Sequence, residues 1–255
     1  MLDFVSQINR AEKGKLHLFS LGQAGFIAKN SFGKLLGIDL YLSDCVEHEE
    51  GNDGYKRLLP KILDPKDIDL DVLICTHFHR DHFDVDSVPL LMKNNKTLLL
   101  CPNDCREDVI NAAIEASAVR IISPGDSIDR AGYKITVINC DHGDRTPDAV
   151  GVIFETDGIR IAEVGDTCLR LDRVGEILRC GKVNVLIAPI NGAYGNMNED
   201  DCVKLTNAVE PDLVIPCHYG MFAAHGGDPG VFRETMLRRS KTKYMLMTQG
   251  EKITF

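Results

Sequence analysis

Short apolar runs, each closed by turn residues, recur along the chain with helical spacings between them. Leu16–Leu21, Gly25–Ala28 and Lys34–Leu40 predict a meander of strands. Asp71–Cys75 is apolar almost without a break, as a strand covered on both faces should be, and Thr97–Cys101 repeats the pattern. Between them Val85–Lys93 has helical spacing, and Asn103 is placed to cap a helix with Ile110, Ala113 and Ile114 on one face. The middle predicts strands over Tyr133–Cys140, Val150–Glu155 and Ile159–Val164, then a buried strand over Val183–Ile190. Asn198 opens a helix with Glu199, Asp200 and Asp201 in its first turn and Cys202, Leu205 and Val209 on one face. A strand at Leu213–Pro216, a helix at Pro229–Arg239 and a strand at Lys243–Met247 complete the pattern. No linker or low-complexity stretch interrupts it, so residues 1–255 read as a single α/β domain. The β-rich and βα-rich stretches occur twice, which suits two stacked sheets with helices outside.

Composition narrows the partners. The chain has 255 residues, 44% of them hydrophobic, enough for a proper core. Lys+Arg total 29 against 38 Asp+Glu, a net charge of −9, which disfavours nucleic acid and anionic membrane as partners. Trp is absent and aromatics reach 6%, so a base-stacking platform is not expected. No apolar run approaches the roughly 20 residues of a membrane span, and Met1–Gln7 lacks the basic and apolar regions of a secretory signal. Nine scattered cysteines, an odd number, fit free thiols in a reducing compartment, with the cytoplasm as the expected location. Cys101 and Cys105 form one close pair without a second at zinc-ribbon spacing and read as structural. A homo-oligomer stays open, because an interface patch and a core stripe look alike in this pattern.

Chemistry concentrates in Thr76-His77-Phe78-His79-Arg80-Asp81-His82, which leaves the sheet directly after a buried strand. Residues two apart on extended backbone point the same way, so His77 and His79 can converge on one ion while Asp81 and His82 face another. Imidazoles with a carboxylate suit Zn²⁺, Mn²⁺ or Fe. With 8 histidines in 255 residues, three at fixed places arise by chance in about one chain in a hundred. His142, Asp166 and His218 each follow a predicted strand and sit beside Gly143, Gly165 and Gly220. Singly, His142 is also readable as a surface-loop histidine and Asp166 as a turn-former or helix cap. Together they complete two ligand sets with an oxygen left to bridge.

His77-x-His79-x-Asp81-His82, His142, Val164-Gly165-Asp166-Thr167 and Pro216-Cys217-His218-Tyr219-Gly220 resemble the metallo-β-lactamase superfamily over nearly the whole chain. The resemblance implies a four-layer αββα sandwich, two mixed β-sheets with helices outside. It also implies two divalent ions, Zn²⁺ or Mn²⁺. His77, His79 and His142 would hold one and Asp81, His82 and His218 the other, with Asp166 between them. Gly37-Ile38-Asp39-Leu40-Tyr41-Leu42 looks like the superfamily's early strand motif, in which an acidic residue supports the site. Asp144-Arg145-Thr146 and the run through Met221-Phe222 are similar to the L-ascorbate-6-phosphate lactonase-like branch. The extended arm of tRNA 3′-end processing nucleases is missing.

The expected activity is metal-dependent hydrolysis of a small anionic ester or lactone by a metal-bridging hydroxide. Asp81 is the candidate for steering the water proton and delivering it to the leaving oxygen. Asp39 is a candidate to fix the tautomer of His77, His79 or His142. Arg145 suits a substrate phosphate, Tyr219 a developing oxyanion, and His225 a substrate contact from its glycine-rich loop. His48 is a weaker candidate for the site rim, and His17 reads as an ordinary strand residue. Two other functions use the same ligands: a phosphodiesterase for a nucleotide or phospholipid head group, and a metal-binding scaffold or sensor without turnover.

Overall fold

The computed structural model describes residues 3–255; Met1 and Leu2 of the Met1–Gln7 start considered above lie outside them. Strands β1 (His17–Gly22), β2 (Gly25–Lys29), β3 (Leu35–Ile38), β4 (Val72–Ile74), β5 (Leu98–Cys101) and β6 (Val119–Ile121) belong to one sheet. Strands β7 (Ser127–Arg130), β8 (Tyr133–Asn139), β9 (Val150–Thr156), β10 (Ile159–Glu163), β11 (Val185–Pro189), β12 (Leu213–Cys217) and β13 (Lys243–Tyr244) form a second. The chain then returns, and β14 (Lys252–Thr254) pairs with β1 to complete the first sheet.

Both sheets are mixed, and in the same way. In the first, β14, β1, β2 and β3 are antiparallel neighbours, whereas β3, β4, β5 and β6 run parallel. In the second, β7 to β10 are antiparallel and β10 to β13 parallel. Alternation of side chains then decides the layers. Leu18, Phe26, Leu36, Ile74 and Leu100 meet Ile135, Val152, Ile161, Ile187 and Ile215 between the sheets. The opposite face of the first sheet, with Phe19, Ile27, Leu73 and Leu99, packs against Phe4 and Ile8 of helix Phe4–Arg10 and against Val88 and Leu91 of helix Val88–Leu91. The outer face of the second sheet is covered by helices Val174–Arg179, Glu199–Val209 and Pro229–Arg239. Each buried Leu or Ile contributes about 1.5–3 kcal/mol. The result is the helix–sheet–sheet–helix sandwich that the resemblance implies.

Local chemistry explains the helix boundaries. Asn198 accepts from the Asp201 N–H, and Glu199, Asp200 and Asp201 stand at the positive end of the helix dipole. Asp228 accepts from Gly230 and Val231 ahead of Pro229. Asn103 does not act as the expected cap: it lies in a 3₁₀ turn, and helix Arg106–Asn111 has no side-chain cap. Ile110 is 68% exposed, and Val109 takes the buried position. The helix ends early because Ala113 turns into the left-handed region. The expected strand Lys243–Met247 is only two residues long, and β6, β7 and β14 were not anticipated. All nine cysteines are free. Among the described residues no helix is long and apolar enough to cross a membrane.

Candidate metal centre

Strand ends supply the site. The parallel pairs β3–β4 and β11–β12 deliver Asp39, Thr76–His82 and His218 to one edge of the sandwich, and the turns after β8 and β10 add His142 and Asp166. Asp39 and His218 take left-handed backbone at φ 46° and 61°. Buried Asp39 accepts from the Thr76 N–H (2.8 Å) and hydroxyl (2.7 Å) and faces His82 Nδ1 at 2.7 Å. It therefore orients His82, and not His77, His79 or His142 as expected. His77 instead has Nδ1 3.1 Å from the Thr76 hydroxyl. Asp84 closes the other end of the segment, accepting from the N–H of Leu42, Ser43, Asp86 and Ser87 and from the Ser43 hydroxyl.

Two donor sets converge. In the first, His79 Nδ1 lies 2.9 Å from His77 Nε2 and 3.2 Å from His142 Nε2. In the second, His218 Nε2 lies 3.3 Å from His82 Nε2 and 3.2 Å from Asp81 Oδ2. Asp166 Oδ2 reaches toward both, at 3.0 Å from His218, 3.4 Å from His82 and 3.9 Å from His142. Tetrahedral ligands about 2.0–2.1 Å from an ion stand about 3.3 Å apart, so both sets have the spacing of a cation site. His77, His79 and His142 group as one possible ligand cluster, and Asp81, His82 and His218 as another. The chemistry agrees: three ring nitrogens turned on one another cannot all be satisfied by hydrogen bonds, and a cation resolves the conflict.

The two sets differ electrostatically. Burial holds His79 down to about 4 and also lowers His77 and His142, which keeps all three neutral and ready to ligate. Burial also opposes charge on His82 and His218, but Asp166 and Asp81 outweigh it; His82 is raised well above its usual value and His218 to about 9. Asp81 and Asp166 are in turn held ionised, against burial, by His82 and His218.

Of these groups, His79, Asp81, His142, Asp166 and His218 form the floor of a cavity of about 430 Å³, while His77 and His82 are fully buried. Its walls include Glu49, Tyr55, Phe78, Arg80, Arg145, Tyr194 and His225. Arg145 and His225 are thus both lining residues of the cavity. Arg145 is exposed, and no ion pair or hydrogen bond engages it among the described residues; Arg80 is paired with Glu49 and Asp108. Tyr219 is a correction: it does not line this cavity, and its hydroxyl lies 3.4 Å from the Met247 carbonyl. His48 is also corrected; it stands on the exposed face of helix Cys45–Glu50, which presents Val46, Glu49 and Glu50 to the cavity. His17 is buried in β1 between Thr254 and Glu12.

Several site residues went unread. Gln23 donates to Asp81 Oδ2 at 2.7 Å, Asn196 donates to Asp166 Oδ2 at 2.7 Å, and Tyr55 and Tyr194 join hydroxyls at 2.9 Å. Gly22-Gln23-Ala24-Gly25 and Gly192-Ala193-Tyr194-Gly195-Asn196 are glycine-flanked loops at strand ends, and that was the available signal. Gly226 packs the mouth so closely that a Cβ there would overlap the Asn191 carbonyl oxygen.

An αββα sandwich with paired histidine–aspartate sets at its open edge defines a class of metallohydrolase folds. Within it, residues 18–218 match the beta-lactamase superfamily domain, and the chain belongs to that family. A UPF0173 metal-dependent hydrolase of Polynucleobacter asymbioticus is 28% identical over 261 residues, covering 95% of this chain and 87% of its own. Another, from Archaeoglobus fulgidus, is 26% identical over 204 residues, covering 75% and 84%. Among solved structures, Igni18, a metallo hydrolase of Ignicoccus hospitalis, superposes with a TM-score of 0.73 at 22% identity over 94% of this chain and 98% of its own.

Proposed function

We propose that this protein is a metal-dependent hydrolase that holds two divalent ions, Zn²⁺ or Mn²⁺, and opens a small anionic ester or lactone of the L-ascorbate 6-phosphate kind. The observation that carries the reading is the pair of donor sets, with Asp166 reaching both, on the floor of a cavity walled by an unpaired arginine. His77, His79 and His142 would hold one ion, Asp81, His82 and His218 the other, and Asp166 would serve both. Cations held there would act as Lewis acids toward a water and a substrate oxygen near neutral pH.

The chain's own groups do the rest. Thr76 and Asp39 fix the rings of His77 and His82, so that their Nε2 atoms face inward. Asp81, held ionised, takes a proton from the attacking water and returns it to the leaving oxygen. Arg145 offers a planar pair of donors to a substrate phosphate. Nine free thiols suit a reducing, cytoplasmic setting, and the net charge of −9 disfavours nucleic acid and anionic membrane as partners.

The test is protein stripped and reloaded with Mn²⁺, mixed with L-ascorbate 6-phosphate and an aryl phosphodiester, followed by ³¹P and ¹³C NMR. Ring opening with the phosphate retained supports the lactonase reading. Cleavage of the diester alone moves the protein to phosphodiesterase chemistry. Metal uptake with neither substrate changed refutes the substrate class.

A further inference from the structure

Gln23 has no place in the ligand sets, yet it is built into the site at some expense. It is 3% exposed, it occupies left-handed backbone at φ 54°, and its Oε1 is buried without a hydrogen-bond partner. Left-handed backbone in a residue other than glycine is strained and persists where surrounding structure imposes it. Its backbone carbonyl accepts the His218 N–H at 2.9 Å, which ties the β1–β2 turn of the first sheet to the end of β12 in the second.

The amide nitrogen is the informative atom. Gln23 Nε2 lies 2.7 Å from Asp81 Oδ2, 3.1 Å from His225 Nδ1, and 3.1 and 3.3 Å from the two ring nitrogens of His218. The orientation follows from Asp81: the flipped amide would set a carbonyl oxygen against a carboxylate at that distance. One N–H therefore goes to Asp81. The other has two candidate acceptors, and His218 is not available. The near-equal distances to its two ring nitrogens place the amide nitrogen over the His218 ring, off the in-plane lone pair of either. The second N–H is left with His225 Nδ1.

We infer that Gln23 is a positioning residue that fixes His225 in the Nε2–H tautomer, so that its free ring edge offers a hydrogen-bond donor to an oxygen of the substrate. His225 lines the cavity, stacks on His218 with ring centroids 4.9 Å apart, and is flanked by Tyr194, Phe222 and Tyr55 at 5.4, 4.9 and 6.4 Å. Those rings hold the imidazole plane while Gln23 sets its hydrogens. Among the described residues Nε2 has no hydrogen-bond partner. The inference deepens the hydrolase reading, since it takes the cavity to be the substrate site.

Long-range ¹H–¹⁵N correlation spectra of histidine-labelled protein, with and without Zn²⁺, test it. His225 is assigned by the loss of its signals in His225→Gln. Wild-type protein should show the Nε2–H pattern. Gln23→Glu replaces the donor with an acceptor and should invert the pattern to Nδ1–H, and Gln23→Leu should leave a mixture of the two. A wild-type Nδ1–H pattern overturns the inference. So does an Nε2–H pattern that survives both substitutions, because packing alone would then set the tautomer. If the Gln23→Glu protein does not fold, the wild-type and Gln23→Leu spectra still decide. Failure of the parent reading is a separate event: His77, His79, His82, His142 and His218 would not shift with Zn²⁺, while the His225 tautomer would still be read.

Discussion

Asp81 carries two burdens at once, as an oxygen donor in the second set and as the acceptor of the Gln23 amide. Asparagine keeps its shape and removes its charge. Asp81→Asn should fold with an unchanged circular dichroism spectrum and lose turnover by about 10²–10⁴-fold, the usual worth of a positioned acid–base group; near-wild-type kcat at saturating metal would refute the role. A second carboxyl is perturbed far from the chemistry. Burial raises Asp104 to about 6, and its Oδ2 has no partner. The folded state therefore holds the proton more tightly than the unfolded chain, whose usual value is 3.8, and stability falls as pH rises through about 6. Asp104→Asn should raise stability at pH 8 by about 1 kcal/mol, allowing for partial exposure, and leave it unchanged at pH 4, as read from denaturation midpoints. The candidate donor sets were legible because four of their members share one seven-residue segment. It was silent on Gln23 and Asn196, whose partners lie 58 and 30 residues away, since such pairings exist only once the sheets have stacked.

At the level of elements, the segment Thr76–His82 has no regular structure of its own and is held by carboxylates at its two ends. Asp84 supplies the far anchor and takes four backbone N–H groups. Asp84→Ala orphans them inside the protein and should lower stability by about 3 kcal/mol or more, seen as an earlier urea midpoint, with weakened metal uptake as its companion. Its position directly after a predicted site segment was readable, but the reach back to Leu42 and Ser43 was not. Helix Pro229–Arg239 was legible to the residue because Asp228 and Pro229 mark its start. Strands β6 and β7 were not, because Val119-Arg120-Ile121 and Ser127-Ile128-Asp129-Arg130 are short and broken by charged residues, and they owe their form to the neighbour they pair with. The two-residue β13 shows the reverse: an apolar run from Lys243 to Met247 that finds only one partner strand.

For the whole molecule, the site is a seam. His77, His79, Asp81 and His82 follow β4 of the first sheet, whereas His142, Asp166 and His218 follow strands of the second. Cations bound there would join the two halves and would take over from protons that otherwise balance Asp81 and Asp166. His218 is raised to about 9 and His82 is raised as well, so both carry protons at pH 7 before metal arrives. His77, His79 and His142 do not. Filling the second set should therefore release protons and filling the first should not, and metal affinity should climb as pH rises toward 9. Titration calorimetry in two buffers of different ionisation enthalpy reads the proton count directly. A count of zero for both sites would show that the carboxylates are balanced by something else. The αββα architecture was visible in the repeated rhythm of strands and helices; which sheet each ligand belongs to became visible only in the pairing.

Gln23, Asp39 and His218 hold left-handed backbone within one small region, where glycine would sit more easily. Heat resistance and chemistry thus pull these positions apart. A laboratory selection for thermal survival alone would be drawn to glycine at Gln23 and His218, which would relax the turns and discard the side chains that make them useful. The most durable descendants of this protein would then be catalytically blank, and their altered turns would mark where the ancestral strain was kept.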